Sequence, residues 1–343
     1  MGLWFKSLEK CDKVASKSLE KCDKQQKKRE KCDKHRRVTI MEIKTVAIVG
    51  MGALGLLYGE QLNKVLPQGA LRFVMDAARF ARHQNDKYLV NGTLQSFTLQ
   101  SAAEAEPVDL VIIATKFSGL NEALAEMQGL VGPKTIIFSV LNGISSEEFI
   151  KERYGDDNLL YCVALGMDAV REGSSLTYQH KGILKLGILD KKQRPALAAV
   201  MALLEKAGIQ YVIEEDILHA LWAKLLLNVG INQTCMVYET NYGGAFTNEA
   251  AREDMFAAMH EVIAVAQKEG INLTEADFEG CVKVLQGLSP EGLPSMRQDA
   301  LAKRKSEVEL FAGTIIRLGA KHNVPTPVNQ RYYDTIQVME AKY

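Results

Sequence analysis

The chain has 343 residues, 47% hydrophobic and 24% charged, and its 42 Lys and Arg balance 42 Asp and Glu. That length exceeds one compact core and points to about two domains, while no apolar run is long enough to predict a transmembrane helix. The neutrality hides a split: residues 1–40 hold 13 Lys or Arg against 6 Asp or Glu, leaving 29 against 36 in 41–343. The body is therefore mildly acidic and offers no basic run for a nucleic-acid backbone.

The first forty residues stand apart. Lys6-Ser-Leu-Glu-Lys-Cys-Asp-Lys13 recurs as Lys17-Ser-Leu-Glu-Lys-Cys-Asp-Lys24, and Glu30-Lys-Cys-Asp-Lys34 is a third, partial copy. Charge-rich repeats of this kind cannot bury a core, so 1–40 reads as a disordered leader or tag-like extension, with Met41 opening the folded part. Cys11, Cys22 and Cys32 have neither CxxC spacing nor a nearby His pair, so no metal site is expected. The apolar core of a signal peptide is missing, and Lys6 spoils the acylation pattern that Gly2 would begin. Cys162, Cys235 and Cys281 lie singly in apolar surroundings and read as buried thiols of a reducing compartment, hence a cytoplasmic protein.

From Val46 the chain alternates strand and helix. Val46 to Val49 predicts a short buried strand; Gly50, Gly52 and Gly55 then supply a G-x-G-x-x-G turn that opens a helix. Such a turn leaves the backbone bare for a pyrophosphate and aims a helix N-terminus at it. Leu71–Met75, Val108–Ala114 and Thr135–Val140 are further short apolar strands, with a helical stretch from Gly119 to Leu130. Near-continuous apolar character suits parallel strands covered on both faces. Ile183–Leu189 and Gln210–Ile213 add two more strands. Asp76, closing the second strand, stands where an acidic side chain binds the ribose 2′-hydroxyl of NAD, and Arg72, Arg79 and Arg82 are only nearby. Lys116 and Asn142-Gly143 follow the third and fourth strands, at the carboxyl edge where ligands bind in such sheets.

Beyond Glu214 the pattern turns helical. Between Ile217 and Asn232 almost every residue is apolar, yet Lys224, Asn228 and Asn232 interrupt the run at a spacing of four. Each step drifts only about 40° around a helix, so the three form one stripe about 12 Å long. The helix is apolar nearly all round and so predicted buried. A buried ammonium and two amides are costly unless satisfied, either by a polar substrate or by a structural carboxylate partner. Thr247 is expected to cap a helix reaching Gly270, with Met255, Met259, Val262 and Ala266 on one face. Ser295 followed by Gln298 has the form of a capping box, opening a helix that carries Leu301, Val308, Phe311 and Ile315 towards Gly319. The reading is an α/β Rossmann-type dinucleotide-binding domain over 41–213 and an all-α substrate and dimerisation domain over 214–343, with a substrate in the cleft between them.

Several motifs in this order carry a family resemblance: Gly50-Met-Gly-Ala-Leu-Gly55, Ala114-Thr-Lys116, Leu141-Asn-Gly143, Leu221-Trp-Ala-Lys-Leu-Leu-Leu-Asn228 with Asn232, and Ser295-Met-Arg-Gln-Asp299 leading to Glu307. Over essentially all of 41–343 the chain resembles the ketopantoate reductases, which are 6-phosphogluconate-dehydrogenase-like oxidoreductases. The resemblance implies NADPH-dependent reduction of 2-ketopantoate to (R)-pantoate, on the way to pantothenate and coenzyme A. It implies Lys224 as the catalytic proton donor, with Asn142, Asn228, Asn232, Ser295 and Glu307 on the substrate. It further implies a cofactor lining of Gly50, Met51, Gly52, Ala53, Leu54, Gly55, Asp76, Arg79, Lys116, Asn142, Val170 and Glu307, with NADP as cofactor and NAD open. Tyr242 and Gly292 stand where some relatives carry asparagine. The partners expected are a small 2-keto acid and a second copy in a homodimer, with no nucleic acid and no membrane. Reduction of a different 2-keto acid, or a non-catalytic NADP-binding regulator, are the alternatives.

Overall fold

In the computed structural model, residues 41–343 are described. The reading of 1–40 as a leader lies outside the described residues. The strands are β1 Val46–Val49, β2 Leu71–Met75, β3 Tyr88–Val90, β4 Thr93–Gln95, β5 Thr98–Ser101, β6 Leu110–Ile113, β7 Ile136–Ser139, β8 Leu159–Met167, β9 Val170–Glu172, β10 Ser175–Thr177, β11 Lys181–Gly187 and β12 Tyr211–Ile213. Among them run helices α1 Ala53–Asn63, α2 Ala77–His83, α3 Leu120–Glu126, α4 Ser146–Tyr154 and α5 Arg194–Ala207. Helices α6 Ile217–Val237, α7 Tyr242–Thr247, α8 Glu249–Lys268, α9 Glu275–Gln286, α10 Ser295–Leu301, α11 Thr314–His322 and α12 Pro327–Glu340 complete the chain.

Eight strands form one sheet in the order β12-β11-β8-β7-β6-β1-β2-β5. The pairings from β5 through β8 are all parallel, and β11 then pairs antiparallel with β8. Every residue of β1, β6 and β7 is buried, as strands covered on both faces must be. The fold is thus an α/β parallel-sheet domain followed by an all-helical part.

The sheet was legible in part. Two expected strands match, three are trimmed by a residue or two at their ends, and the one expected over Ile183–Leu189 lies two residues earlier, at Lys181–Gly187. β8, the longest at 9 residues, had no counterpart in the sequence reading, although Leu159–Met167 is apolar throughout. The small sheet β4-β3-β10-β9 was also unanticipated, because its strands are three residues each and mostly polar.

Helix α6 joins the two parts. Its first turns contribute Ile217, Ala220 and Leu221 to the sheet's core. From Trp222 onward it forms the centre of the helical core with α8, α10 and residues around Phe311 and Tyr332. At 21 residues it spans about 32 Å. Asp216 caps it by accepting from His219 N.

Three helix-end expectations are corrected. Asn248, not Thr247, caps α8 by accepting from Ala251 N, while Thr247 ends α7 and donates to Gly243 O. Ser295 is the first residue of α10 rather than its cap, and Gln298 donates to Leu293 O, so no capping box forms. No single helix runs from Ser295 to Gly319: α10 stops at Leu301, which is 59% exposed, and Lys303 takes a positive φ of 50°. A π-helical turn, Glu309–Gly313, then leads into α11.

That π turn is secured from α6. Gln233 is fully buried; its Oε1 accepts from Ala312 N at 3.0 Å and its Nε2 donates to Asn329 Oδ1 at 3.2 Å. Asn329 in turn donates to Glu261 and to Ala258 O. Gln233→Leu would strand the Ala312 N–H and the Asn329 carbonyl in the core. Such orphaned groups cost about 1–3 kcal/mol each. Denaturant unfolding should show a loss on that scale, and an unchanged midpoint would mean that the π turn is held by other contacts.

Candidate active site

The glycine turn has little freedom. Gly50 has φ of +107°, and a Cβ there would lie 2.5 Å from Ala114 O. A Cβ on Gly55 would lie 2.1 Å from Gly50 O. Gly52 precedes α1 with no side chain capping the helix, so the N–H groups of the first turn face outward with Met51, Ala53 and Leu54 around them. Beside the turn, the buried hydroxyl oxygen of Thr115 has no hydrogen-bond partner among the described residues. A bare turn, an uncapped helix start and an orphaned hydroxyl together fit a pyrophosphate-bearing dinucleotide.

Asp76 and Arg79 sit at the carboxyl end of β2. Asp76 caps α2 by accepting from Arg79 N at 2.8 Å, and this bond holds its carboxyl below the usual range. The Arg79 guanidinium also lies 3.2 Å from Asp76 and 3.7 Å from Glu126, so two carboxylates already surround it. Val170 opens β9 and is 42% exposed. Its neighbour Arg171 is the one that reaches the turn, donating to Met51 O and to Gly173 O. Nothing in the sequence marked Arg171, because the small sheet that aims it was itself unanticipated.

Lys116 reaches Asp299 of α10. Its Nζ lies 3.1 Å from Asp299 and 3.4 Å from Lys305 O, and Asp299 also binds Arg304 at 2.8 Å. The lysine thus ties the edge of β6 to the end of α10. Asn142, just past β7, donates to Glu307 Oε2 at 2.8 Å. Glu307 is therefore engaged across the two parts of the chain.

The stripe on α6 lies as its spacing predicts. Asn232 Oδ1 accepts from Ser295 Oγ at 3.1 Å and from Met296 N at 3.4 Å. Its amide nitrogen must then donate, and it does so to Asn228 Oδ1 at 3.1 Å. With that oxygen taken, the N–H groups of Asn228 are left to face a ligand. Ser295 thus orients the whole chain of amides from its place at the start of α10.

Lys224 Nζ donates to Ala164 O of β8 at 2.7 Å. The carbonyl uses one of three ammonium protons and leaves the others available. Burial lowers the lysine to about 8, with the nearby Glu307 carboxylate opposing the shift. Burial in turn raises Glu307, with Asn142, Lys116 and Lys224 pulling it back. Lys224, Glu307 and Asn142 thus form one electrostatic group, and Asn228, Asn232 and Ser295 continue from it along α6. The arrangement can protonate an oxygen on which charge develops, beside donors for a carboxylate and an acceptor for a hydroxyl.

Tyr242 and Gly292 form one feature. A Cβ on Gly292 would lie 2.8 Å from the Tyr242 ring, and Tyr242 N donates to Gly292 O at 3.0 Å. The ring and the glycine fit each other, so changing either requires changing both.

Two sequence families match the chain: "Ketopantoate reductase PanE/ApbA" over residues 46–191 and "Ketopantoate reductase PanE/ApbA C terminal" over residues 216–340. The 2-dehydropantoate 2-reductase of Streptococcus pyogenes serotype M6 is 25% identical over 300 residues, covering 86% of this chain and 98% of the relative. That of Aquifex aeolicus is 27% identical over 298 residues, covering 82% and 93%. Among solved structures, a D-mandelate dehydrogenase with NADH and anilino(oxo)acetate superposes with a TM-score of 0.78 at 23% identity, covering 87% of this chain and 99% of that one. The dimeric ketopantoate reductase of Staphylococcus aureus gives 0.73 at 23% identity, with the same coverage.

Gly55→Ala should abolish dinucleotide binding, because its methyl group would collide with the Gly50 carbonyl and open the turn. Fluorescence titration with NADH and NADPH measures this, and retained affinity would place the pyrophosphate elsewhere. With the paired family matches spanning both parts of the chain, the protein belongs to the ketopantoate reductase family of oxidoreductases.

Proposed function

We propose that this protein reduces 2-dehydropantoate to (R)-pantoate, in the cytoplasm and on the route to pantothenate and coenzyme A. What carries the reading is Lys224, lowered to about 8 yet still cationic at neutral pH, set between Glu307 with Asn142 on one side and the Asn228-Asn232-Ser295 chain on the other. In this reading 41–213 holds the dinucleotide and 214–343 the substrate and, as in the dimeric relative, a homodimer contact. The bound nicotinamide would supply the hydride. As charge grows on the carbonyl oxygen, Lys224 donates a proton to it, while Ala164 O keeps the ammonium aimed. Asn228 offers N–H groups to the carboxylate, oriented through Asn232 and Ser295, and Glu307 accepts from the substrate hydroxyl while Asn142 holds it in place. On the cofactor side, Gly50 to Gly55 hold the pyrophosphate, Asp76 and Arg79 the adenosine ribose, and Lys116, Asn142, Val170 and Glu307 line the nicotinamide end.

NADPH is the cofactor that the family suggests. NADH is the second reading, favoured by one observation: the Asp76 carboxylate already occupies the Arg79 guanidinium, which Glu126 flanks. Under this second reading Asp76→Ala should weaken NADH more than NADPH; under the first, Arg79→Ala should selectively raise KM for NADPH. Steady-state kinetics with both cofactors decides, and no selective change in either variant would discard this view of the loop.

Lys224→Ala should lower kcat by about 10²–10⁴-fold, the usual contribution of positioned proton transfer, with dinucleotide affinity intact. Because reduction needs the ammonium, kcat/KM should fall as pH rises through about 8, and oxidation of the hydroxy acid should rise through the same pH. A panel of 2-keto acids including 2-dehydropantoate tests the substrate. Near-normal turnover by the variant would move the proton donor elsewhere.

A further inference from the structure

The small sheet β4-β3-β10-β9 packs beside α1 and holds that helix near both ends. Tyr178, just past β10, donates from its hydroxyl to Glu60 Oε2 at 3.4 Å, close to the C-terminal end of α1. Tyr178 is itself fixed by Asn91, just past β3: its N–H donates to Asn91 Oδ1 at 2.9 Å, and Asn91 Nδ2 donates to Tyr178 O at 3.1 Å. At the other end Arg171, the middle residue of β9, donates from Nη1 to Met51 O in the glycine turn. Its Nε donates to Gly173 O at 2.8 Å, in the turn between β9 and β10, where Gly173 takes a φ of +57°. The guanidinium is thus held at two points beside Gly50-Met-Gly52.

These two bonds leave most of the group open. A guanidinium has five N–H donors; two are engaged here, and three have no acceptor among the described residues. Both partners are neutral carbonyls, so the positive charge is not cancelled. The other cations on the dinucleotide side are committed: Arg79 lies between Asp76 and Glu126, and Lys116 pairs with Asp299. The turn itself offers N–H groups and the partial charge of one helix end, roughly half an elementary charge. An ionised oxygen on each phosphate of a dinucleotide exceeds what that can offset.

We propose that Arg171 binds the pyrophosphate of the dinucleotide, donating from its remaining N–H groups to phosphate oxygens while Met51 O holds the fork in place. The inference rests on the glycine turn being the dinucleotide site. A planar fork with parallel donors suits a phosphate better than the point charge of a lysine would. The small sheet is then the arm that carries a cation to the turn. Its register sets Arg171 opposite Leu176 of β10, which is fully buried and anchors the hairpin. The phosphates are common to NADH and NADPH, so Arg171 adds affinity for both. The choice between them stays with Asp76 and Arg79 at the end of β2.

Arg171→Met removes the charge and keeps most of the stem. Isothermal titration of the full chain should show Kd for NADH, NADPH and ADP-ribose each raised about 10–100-fold, the range for a hydrogen bond between ionised groups. Adenosine, which has no phosphate, should bind variant and wild type alike, which separates a lost contact from a disturbed turn. Arg171→Lys should recover part of the affinity, because it restores the charge without the fork. In ³¹P NMR of bound NADH, the pyrophosphate resonances should move between wild type and Arg171→Met. Unchanged affinities in Arg171→Met would overturn the proposal. So would a loss confined to NADPH, which would put the guanidinium at the 2′-phosphate, or an equal loss for adenosine, which marks a merely structural residue. A wild type that bound no dinucleotide would instead overturn the reading of the glycine turn, and this inference with it.

Discussion

The contact on which the site depends is the hydrogen bond from Lys224 Nζ to the Ala164 carbonyl. Helix α6 is apolar nearly all round, so an ammonium on it must be satisfied by something other than water. A main-chain carbonyl does this without neutralising the charge, as a carboxylate would, and it fixes the nitrogen to the edge of the sheet. The strand that offers the carbonyl is itself tightly held: Gly166 and Gly182 both take positive φ where β8 and β11 run together, and a Cβ on Gly182 would lie 2.2 Å from Leu165 O. Sheet and helix are thereby set in register at the one atom that must be placed best.

Around that atom the charges are graded by burial. Lys116, Asp299 and Arg304 form a chain at the rim, where lysine and arginine are half exposed. Deeper in, burial moves Lys224 down and Glu307 up, each towards its neutral form. Groups that would be fully ionised in water are thus moved by burial towards their neutral forms. The mildly acidic body and the apolar helix are compatible with this, because the few buried charges face one another rather than the core.

How much of this was legible follows from the range of each interaction. Local patterns were readable: the glycine turn, the apolar parallel strands, and the four-residue spacing that puts Lys224, Asn228 and Asn232 on one stripe. Contacts between distant segments were not. Ser295 looked like a helix cap, and its true partner, Asn232, lies 63 positions away. Glu307 carried no local sign of its partner Asn142, which lies 165 positions away. Arg171 carried no signal at all, because it sits on a three-residue strand. The interruption after Leu301 was hidden for another reason, since the apolar spacing continues through it while Lys303 and the π turn change the backbone.

Polar orientation also bears on the substrate that the proposed reaction takes. Ser295 and Met296 occupy the oxygen of Asn232, Asn232 occupies the oxygen of Asn228, and so the α6 side presents donors only. Opposite, Asn142 spends its nitrogen on Glu307, leaving an amide oxygen and a carboxylate, which present acceptors. Donors suit the carboxylate and carbonyl common to every 2-keto acid and do not distinguish among them. Acceptors suit a hydroxyl further along the substrate. A keto acid without one would leave Glu307 buried against an apolar group, where it must be protonated or remain uncompensated. Burial already raises Glu307, so it can pass to the neutral form more readily than a solvated carboxylate, which narrows the penalty against unhydroxylated keto acids. Discrimination against them therefore weakens as pH falls and Glu307 becomes a donor, while the donors of the α6 side are unaffected.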